Sequence, residues 1–326
     1  MELNFMEHLP ILFVVVPCYN EHEVLPETSK RLTKKLGILI ENKVVSEKSR
    51  IVFVNDGSKD NTWDLIREYH ENNKLISGIC LSRNRGHQNA LLAGLMESKK
   101  YADVIISMDA DLQDDIEAID EMIEKFKQGA EVVYGVRKAR KKDTFFKRFT
   151  AEGFYKVMKI MGAEVVFNSA DYRLMSKRAV EALSEFKEVN LFLRGMVPLV
   201  GFKSDLVFFE RSERFAGESK YPLSKMLSFA YEGITSFSVA PIRFFRNFGL
   251  FLLLLGIPAF ITFLVLYFCN IAKGDMLLAS ILSFVMLNAG LILTCLGIVG
   301  DYVGKTYLEA KHRPAYIVSE FLHTED

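Results

Sequence analysis

The residues of this chain most able to do chemistry form a short acidic run. Asp109 and Asp111 lie two positions apart, shortly after Val104–Ile106, an apolar run typical of a buried strand. The C-terminal ends of strands are where α/β sheets bind ligands. Carboxylate oxygens suit Mg²⁺ or Mn²⁺, held together with a substrate diphosphate. An acidic pair alone is also common as a solvated strand end, so the rest of the chain must decide between these two interpretations.

The elements that would position this pair follow a repeating order. Four apolar strands alternate with three amphipathic helices, and each strand is followed by a polar loop. This order is typical of an α/β fold with a doubly wound, mostly parallel sheet, in which those loops converge on one edge. The strands are predicted at Ile11–Val16, Arg50–Asn55, Ile76–Leu81 and Val104–Ile106, and the helices at Val24–Glu41, Trp63–Asn72 and Asn89–Ser98.

Composition and missing motifs exclude several classes of protein. The chain has 41 Lys and Arg against 41 Asp and Glu, so nothing indicates a nucleic-acid partner. No G-x-G-x-x-G follows the first strand and no G-x-x-x-x-G-K-[ST] occurs, which disfavours dinucleotide oxidoreductases and P-loop NTPases. The four cysteines lack C-x-x-C spacing and are predicted to be reduced, packing thiols.

Two long uncharged segments predict membrane-spanning helices. No charged residue occurs between Arg246 and Lys273, or between Asp275 and Asp301. Either gap is long enough to cross a hydrocarbon core of ~30 Å. The alternative, two buried core helices, is disfavoured because core helices of this length usually carry a charged face. The predicted spans are Phe248–Phe268 and Leu277–Val299.

The flanking charges predict that both ends of this hairpin face the cytoplasm. Arg and Lys residues precede the first span and follow the second, whereas the connecting loop has one Lys and one Asp. Amphipathic helices at the membrane surface are predicted at Thr144–Met161, with a core stripe as the alternative, and at Leu223–Ile242. The predicted parts are a cytoplasmic domain, juxtamembrane helices, a transmembrane hairpin and a cytoplasmic tail, at 1–222, 223–246, 247–300 and 301–326.

Several motifs in order resemble those of family 2 glycosyltransferases with the GT-A fold. In the first half these are V-P-C-Y-N-E at 16–21, N-D-G-S at 55–58, S-R-N-R-G at 82–86 and D-A-D-L-Q at 109–113. The second half resembles the polyprenyl-phosphate type, which includes bactoprenol glucosyltransferases and aminoarabinose transferases. Its motifs are A-D-Y-R-L at 170–174, R-F-A-G-E-S-K-Y at 214–221 and G-D-Y-V-G at 300–304, where Asp301 replaces the usual glutamate.

The resemblance implies an inverting transfer of a sugar from a UDP-sugar to undecaprenyl phosphate at the cytoplasmic membrane face, with Mg²⁺ or Mn²⁺ as cofactor. Glucose is favoured as the sugar, with N-acetylglucosamine and aminoarabinose as alternatives. Two less favoured functions are those of a dolichol-phosphate-mannose type synthase and of a non-catalytic membrane scaffold. A processive polysaccharide synthase is disfavoured because Q-x-x-R-W is absent. A homo-oligomer is also implied, with a tetramer as one option.

The same resemblance assigns donor-side roles. Asp111 and Gln113 are predicted metal ligands, and Asp109 is predicted to contact the donor ribose or the metal. Asp114 and Asp115 are expected to begin the next helix instead, where carboxylates favour the helix dipole.

The nucleotide pocket is predicted from the first two loops. Pro17, Tyr19 and Glu21 are expected to line the base and ribose, and Asp56 to accept a hydrogen bond from the uracil imide. Alternatively, Glu21 caps the following helix and Asp56 forms a local turn with Gly57.

Asp171 is the predicted catalytic carboxylate, with a buried ion pair to Arg173 as the alternative. The acceptor phosphate has a second pKa of ~6 and is mostly a dianion near neutrality. A strong base is therefore unnecessary, and Asp171 could position a substrate instead. Cations that the resemblance places at the acceptor phosphate, or alternatively in surface ion pairs, are Arg137, Arg194, Arg214 and Lys220. The other predicted substrate contacts are Arg83, Gly86, Gln88, Arg173 and Ser219.

Overall fold

The computed structural model describes residues 9–138, 166, 168–188, 192–210 and 274–324, together with short pieces between 242 and 269. The chain divides into two compact units. One contains the sheet and the residues from Pro314 onward, and the other contains the long helix that ends before Arg313.

Helices and strands alternate through the first unit. The strands are β1 Leu12–Cys18, β2 Arg50–Asn55, β3 Ile76–Leu81, β4 Val104–Ser107, β5 Val132–Arg137, β6 Ser169–Ser176, β7 Ser204–Phe209 and β8 Val318–Leu322. The helices described in this unit are α1 Leu25–Glu41, α2 Thr62–Asn72, α3 His87–Ser98, α4 Ala118–Lys127, α5 Lys177–Leu183 and α6 Leu193–Leu199. The long helix of the second unit is α7 Gly274–Ala310.

The strands form one mixed, mostly parallel sheet in the order β7-β5-β6-β4-β1-β2-β3-β8. The neighbours β4, β1, β2 and β3 are parallel, as predicted, and β5 is parallel to β7. Two strands run the other way: β6 lies antiparallel between β4 and β5, and β8 lies antiparallel beside β3. The β6 insertion matters for the site because it places a strand of later sequence directly beside β4.

The core of this unit lies on both faces of the sheet. Every residue of β1, β2 and β4 is buried, since helices cover these strands on either side. Helix α1 buries Leu25, Leu32, Leu36 and Leu39 at helical spacing. Helix α3 packs so closely that a Cβ at Gly94 would lie 2.3 Å from a methyl group of Val15. These helices hold the strand ends, and hence the loops after them, in fixed positions.

Helix α7 contains the whole of the second predicted membrane span, Leu277–Val299. It is 37 residues long and continues past Val299 to Ala310. Within the described part of the chain, Asn288–Ala310 is the one segment long and apolar enough to cross a membrane, and none of its apolar window is buried inside the protein. The first predicted span is described only in pieces, which are helical. The predicted surface helices at 144–161 and 223–242 lie outside the described residues, apart from Ile242.

Candidate active site

Two loops at the carboxyl edge of the sheet are tied together by Asp56. Its Oδ1 accepts a hydrogen bond from the Arg85 amide at 2.7 Å, and its Oδ2 accepts one from the Gly86 amide at 2.9 Å. The loops approach so closely that a Cβ on Gly57 would lie 2.5 Å from the backbone nitrogen of Asn84, and Gly57 has a φ of +62°. Only glycine fits this position without strain.

Asp56 does not form the local turn that was the predicted alternative. Burial raises the pKa of this carboxyl group, and the two backbone hydrogen bonds oppose that rise. The turn after β2 is made by Asn55, whose Oδ1 accepts from the Ser58 amide at 3.2 Å. Asp56 therefore joins the loop after β2 to the loop after β3, and its contact with a uracil imide remains a prediction.

The three residues predicted to line a base and ribose lie along the end of β1. Pro17 is buried within the strand and pairs with Val54 of β2. Tyr19 is exposed at the strand end, where its ring is accessible to a ligand. The Glu21 amide donates to the Thr62 hydroxyl at 3.0 Å, which joins the start of α1 to the start of α2. Tyr19 is thus the best placed of the three for stacking on a base.

A hydrogen bond from helix α1 holds the acidic loop that follows β4. The Thr28 hydroxyl, which is fully buried, donates to the carbonyl of Ala110 at 2.8 Å. In front, Asp111 Oδ1 accepts from the Gln113 amide at 3.2 Å, across a turn in which Leu112 has a φ of +56°. A positive φ is costly for a residue of this size and is typical of functional loops that their surroundings hold in place.

Asp114 is a member of this site that the sequence pattern does not reveal. The prediction that it begins a helix was wrong, since α4 begins at Ala118 and Asp114 is buried. Its Oδ1 lies 3.5 Å from Arg137 Nη2. Burial, followed by the negative charges of Asp109 and Asp111, raises the pKa of Asp114 to about 7 despite the opposing charge of Arg137. Position in the sequence alone could not show that β5 would supply its partner.

Negative charge is concentrated around the acidic pair. Burial raises the pKa of Asp109; His87 opposes this rise, and the carboxylates of Asp171 and Asp111 add to it. A bound cation would relieve such repulsion.

The donor atoms fit Mg²⁺ or Mn²⁺. Among the described residues, no group of three His, Cys, Asp or Glu side chains could hold a metal by itself. Mg²⁺ usually binds through one or two carboxylates and completes its shell with substrate phosphates and water. The carboxylates of Asp109 and Asp111, with the side-chain amide oxygen of Gln113, provide such an incomplete set of oxygen ligands. Nearby, the buried Oδ2 of Asp114 has no hydrogen-bond partner.

Asp171 reaches the same edge because β6 is antiparallel to β4. The Ser107 hydroxyl of β4 donates to the Asp171 carbonyl at 2.6 Å. The carboxylate is held by two arginines: Arg173 Nη2 lies 2.9 Å from Oδ1, and Arg194 donates from Nε at 3.1 Å and from Nη2 at 2.9 Å. This strand pairing, which the sequence pattern did not predict, brings together the residues predicted for the donor side and those predicted for the acceptor side.

The arginines decide what Asp171 can do chemically. Burial alone would raise the pKa of its carboxyl group, but the charges of Arg194 and Arg173 hold that pKa well below its usual range. Such a carboxylate is a poor proton acceptor near neutrality. Its geometry suits orientation of Arg194, which is partly exposed.

Arg173 occupies a supporting position. It is buried, and its Nη1 donates to the carbonyl of Leu193 at 3.3 Å. Arg173 forms a buried ion pair with Asp171, which was the predicted alternative. Its side chain is too buried to contact a substrate directly.

The start of α3 contributes two neighbouring residues with different contacts. Gly86, with a φ of +87°, is the N-cap of this helix. Gln88 Oε1 accepts from the Leu193 amide at 2.9 Å and so fixes the start of α6, which carries Arg194. The Nε2 atom of His87 lies 3.5 Å from Asp109 Oδ1 and 4.0 Å from Asp171 Oδ2.

The remaining predicted contacts are divided by what the structure describes. Arg83 is exposed on the loop after β3, beside the residues that Asp56 holds. Arg137 is partly exposed at the end of β5. The other three predicted contacts lie outside the described residues: Arg214, Ser219 and Lys220.

The fold and site together define an α/β enzyme whose acidic, cation-compatible site lies at the carboxyl edge of a mostly parallel sheet. Residues 13–184 match the model of Glycosyl transferase family 2. The chain belongs to this family and is a glycosyltransferase.

Relatives match along nearly the whole chain. YkoT, a glycosyltransferase of Bacillus subtilis (strain 168), is 51% identical over 320 residues, which are 97% of this chain and 93% of the relative. The bactoprenol glucosyl transferase of Shigella phage SfV is 38% identical over 94% of this chain and 97% of its own. The prophage bactoprenol glucosyl transferase homolog of Escherichia coli (strain K12) is 37% identical over the same shares.

Solved structures give more distant matches. Glucosyl-3-phosphoglycerate synthase from Mycobacterium tuberculosis, in complex with Mn²⁺, UDP and phosphoglyceric acid, has a TM-score of 0.44 and 15% identity over 69% of this chain and 76% of that one. The mannosyltransferase PcManGT from Pyrobaculum calidifontis, in complex with GDP-Man and Mn²⁺, has a TM-score of 0.43 and 14% identity over 95% and 86% of the two chains.

Proposed function

We propose that this glycosyltransferase transfers a sugar from a UDP-sugar to undecaprenyl phosphate at the cytoplasmic face of a membrane. Glucose is the favoured sugar, and the reaction inverts the configuration at the anomeric carbon. The observation that carries the proposal is the convergence of the acidic loop and the Asp171–Arg194 ion pair on one sheet edge, where His87 lies within 4.0 Å of both carboxylates. Relatives named bactoprenol glucosyl transferases support the acceptor and the sugar.

On the donor side, Asp109, Asp111 and Gln113 would hold Mg²⁺ or Mn²⁺ against the donor diphosphate. When bound there, such a cation would act as a Lewis acid and stabilise the negative charge on the departing UDP. Two hydrogen bonds hold the loops of this site: Thr28 donates to the carbonyl of Ala110, between the two aspartates, and Asp56 accepts from the Arg85 amide in the loop after β3. Tyr19 is free of the core and is proposed to stack on the base.

On the acceptor side, catalysis rests on alignment and not on a general base. The acceptor phosphate is already mostly a dianion near neutrality, with a second pKa of ~6. Asp171, whose pKa is held low, orients the Arg194 guanidinium, and Arg137 is oriented by Asp114. Arginine is suited to bidentate contact with phosphate. We propose that these two cations hold the phosphate for in-line attack on the anomeric carbon, which gives inversion in a single displacement.

The position of β8 supports a membrane hairpin with both ends on the cytoplasmic side. The pairing of β8 with β3 supports placing these two strands on the same side of any membrane that the segment between them crosses, and hence an even number of crossings. Because α7 carries an exposed apolar segment long enough for one crossing, we propose a second one within residues 247–273.

The proposal is tested with membranes containing the full-length protein, undecaprenyl phosphate, Mn²⁺ and a panel of UDP-sugars, with the lipid product identified by mass. We expect a lipid heavier by one hexosyl group with UDP-glucose, and no product in Asp111→Ala or after chelation. Asp115→Ala is the matched control, because Asp115 accepts a hydrogen bond from the Glu117 amide beyond the acidic loop. It should retain activity.

The outcomes separate the possible functions. If product forms only with UDP-N-acetylglucosamine or with an aminoarabinose donor, the proposed reaction is correct but the transferred sugar is not glucose. Product from GDP-mannose would indicate a mannose synthase, and no product from any donor would favour a scaffold. Full activity in Asp111→Ala would show that the acidic loop is not a metal site.

A further inference from the structure

We propose that His87 contacts the transferred sugar and helps to select it, an inference that rests on the proposed function. His87 is the first residue of α3, and its side chain is 44% exposed. Its Nε2 lies 3.5 Å from Asp109 Oδ1 and 4.0 Å from Asp171 Oδ2. The imidazole is thus at the junction of the donor-side and acceptor-side carboxylates. The sugar must occupy this junction, since its anomeric carbon passes from the diphosphate to the acceptor.

The residues on either side of His87 make the hydrogen bonds that hold the start of α3. Gln88 Oε1 binds the Leu193 amide and joins α3 to α6, and the Gly86 amide is held by Asp56. The His87 side chain points away from these contacts, toward the two carboxylates, and it stays substantially exposed. A residue whose exposed ring faces a site is better suited to contact a ligand than to stabilise the fold.

The chemistry of the cluster fits a sugar hydroxyl. Ionised carboxylates only accept hydrogen bonds, whereas a neutral imidazole has one N–H donor and one acceptor nitrogen. A sugar hydroxyl both donates and accepts. One hydroxyl between Asp171 and His87 can therefore donate to the Asp171 carboxylate and accept from the Nε2–H of His87. The hydroxyl, the carboxylate and the imidazole then each have a hydrogen-bond partner. Neither carboxylate could replace His87 as the donor, so its loss would leave that hydroxyl with one fewer partner.

The experiment compares donors with and without the sugar. Binding of UDP, UDP-glucose and UDP-N-acetylglucosamine to the full-length protein in detergent with Mn²⁺ is measured by calorimetry. In His87→Ala, we expect the affinity for the better-bound UDP-sugar to fall about two- to tenfold, the range for one lost hydrogen bond, while UDP affinity is unchanged. In His87→Gln, whose amide N–H has a similar reach, we expect part of the lost affinity to return.

Three outcomes would overturn the inference in distinguishable ways. Unchanged binding of both UDP-sugars by His87→Ala would show that the imidazole does not contact the sugar. An equal loss for UDP and for the UDP-sugars would place its effect on the diphosphate or the metal ligands instead. If the wild-type protein binds none of the three compounds, the proposed donor class is wrong, and the role of His87 falls with it.

Discussion

Replacing Asp171 with Asn should destabilise the protein much more than removing its exposed partner. Asp171 is the charged partner of Arg173, whose side chain is only 2% exposed. Asp171→Asn would leave that guanidinium buried without a counter-charge, which costs about 3–5 kcal/mol. Arg194 is 26% exposed, and its removal leaves the Asp171–Arg173 pair intact. Arg194→Gln should therefore cost about 1–2 kcal/mol, at the low end for charge-assisted hydrogen bonds.

The assay is thermal unfolding of the full-length protein in detergent, followed by the fluorescence of Trp63, the one tryptophan of the chain. Asp171→Asn should lower the unfolding temperature by roughly 10 °C, and Arg194→Gln by a few degrees. Both variants should lose sugar transfer. If Asp171→Asn unfolds at or above the temperature of Arg194→Gln, the buried ion pair does not stabilise the fold as argued, and the support assigned to Arg173 is wrong.

Three further predictions follow from single contacts. Thr28→Val, which removes the hydroxyl bonded to Ala110, should destabilise by about 1–3 kcal/mol and weaken Mn²⁺-dependent UDP binding, whereas Thr28→Ser should retain both. Gly57→Ala should lower the unfolding temperature, because its Cβ would clash with the neighbouring loop; Gly37→Ala, with open space in α1, should leave it unchanged or raise it. The pKa of Asp171 is depressed in the fold, so its ion pair stabilises above the unfolded pKa of ~3.9 and is lost only as pH falls through the lower folded value. The difference in unfolding temperature between wild type and Asp171→Asn should therefore stay constant from about pH 5 to pH 8; a difference that already shrinks between pH 6 and pH 5 would contradict the low pKa.

The central strands were predictable because their signal is local. The predicted bounds of β2 and β3 coincide with the structure, since continuous apolar runs ending in polar loops are what a strand buried on both faces requires. The candidate residues of the acidic loop also follow from a motif at a strand end. These features depend on a few consecutive residues.

The rest of the site depends on pairing between distant segments. The meeting of Asp171 with the acidic loop follows from β6 running antiparallel between β4 and β5, which no local pattern encodes. Asp114 joins the site only because Arg137 of β5 faces it. The sequence pattern predicts a loop at His87, but Gly86 starts α3 earlier and turns the imidazole toward the carboxylates. Tertiary contacts decided each of these positions.

The pairing of β8 with β3 has a consequence for how the protein is made. Glu320 of β8 is paired with Arg67 of α2, 253 residues earlier in the chain. The edge of the catalytic sheet therefore stays open while a ribosome synthesises everything between, including α7. Because contacts of such long sequence separation form late, β8 can pair with β3 only after α7 has left the ribosome. Until then, β3 exposes an unpaired edge open to aggregation, and a chain truncated after α7 would retain that edge permanently.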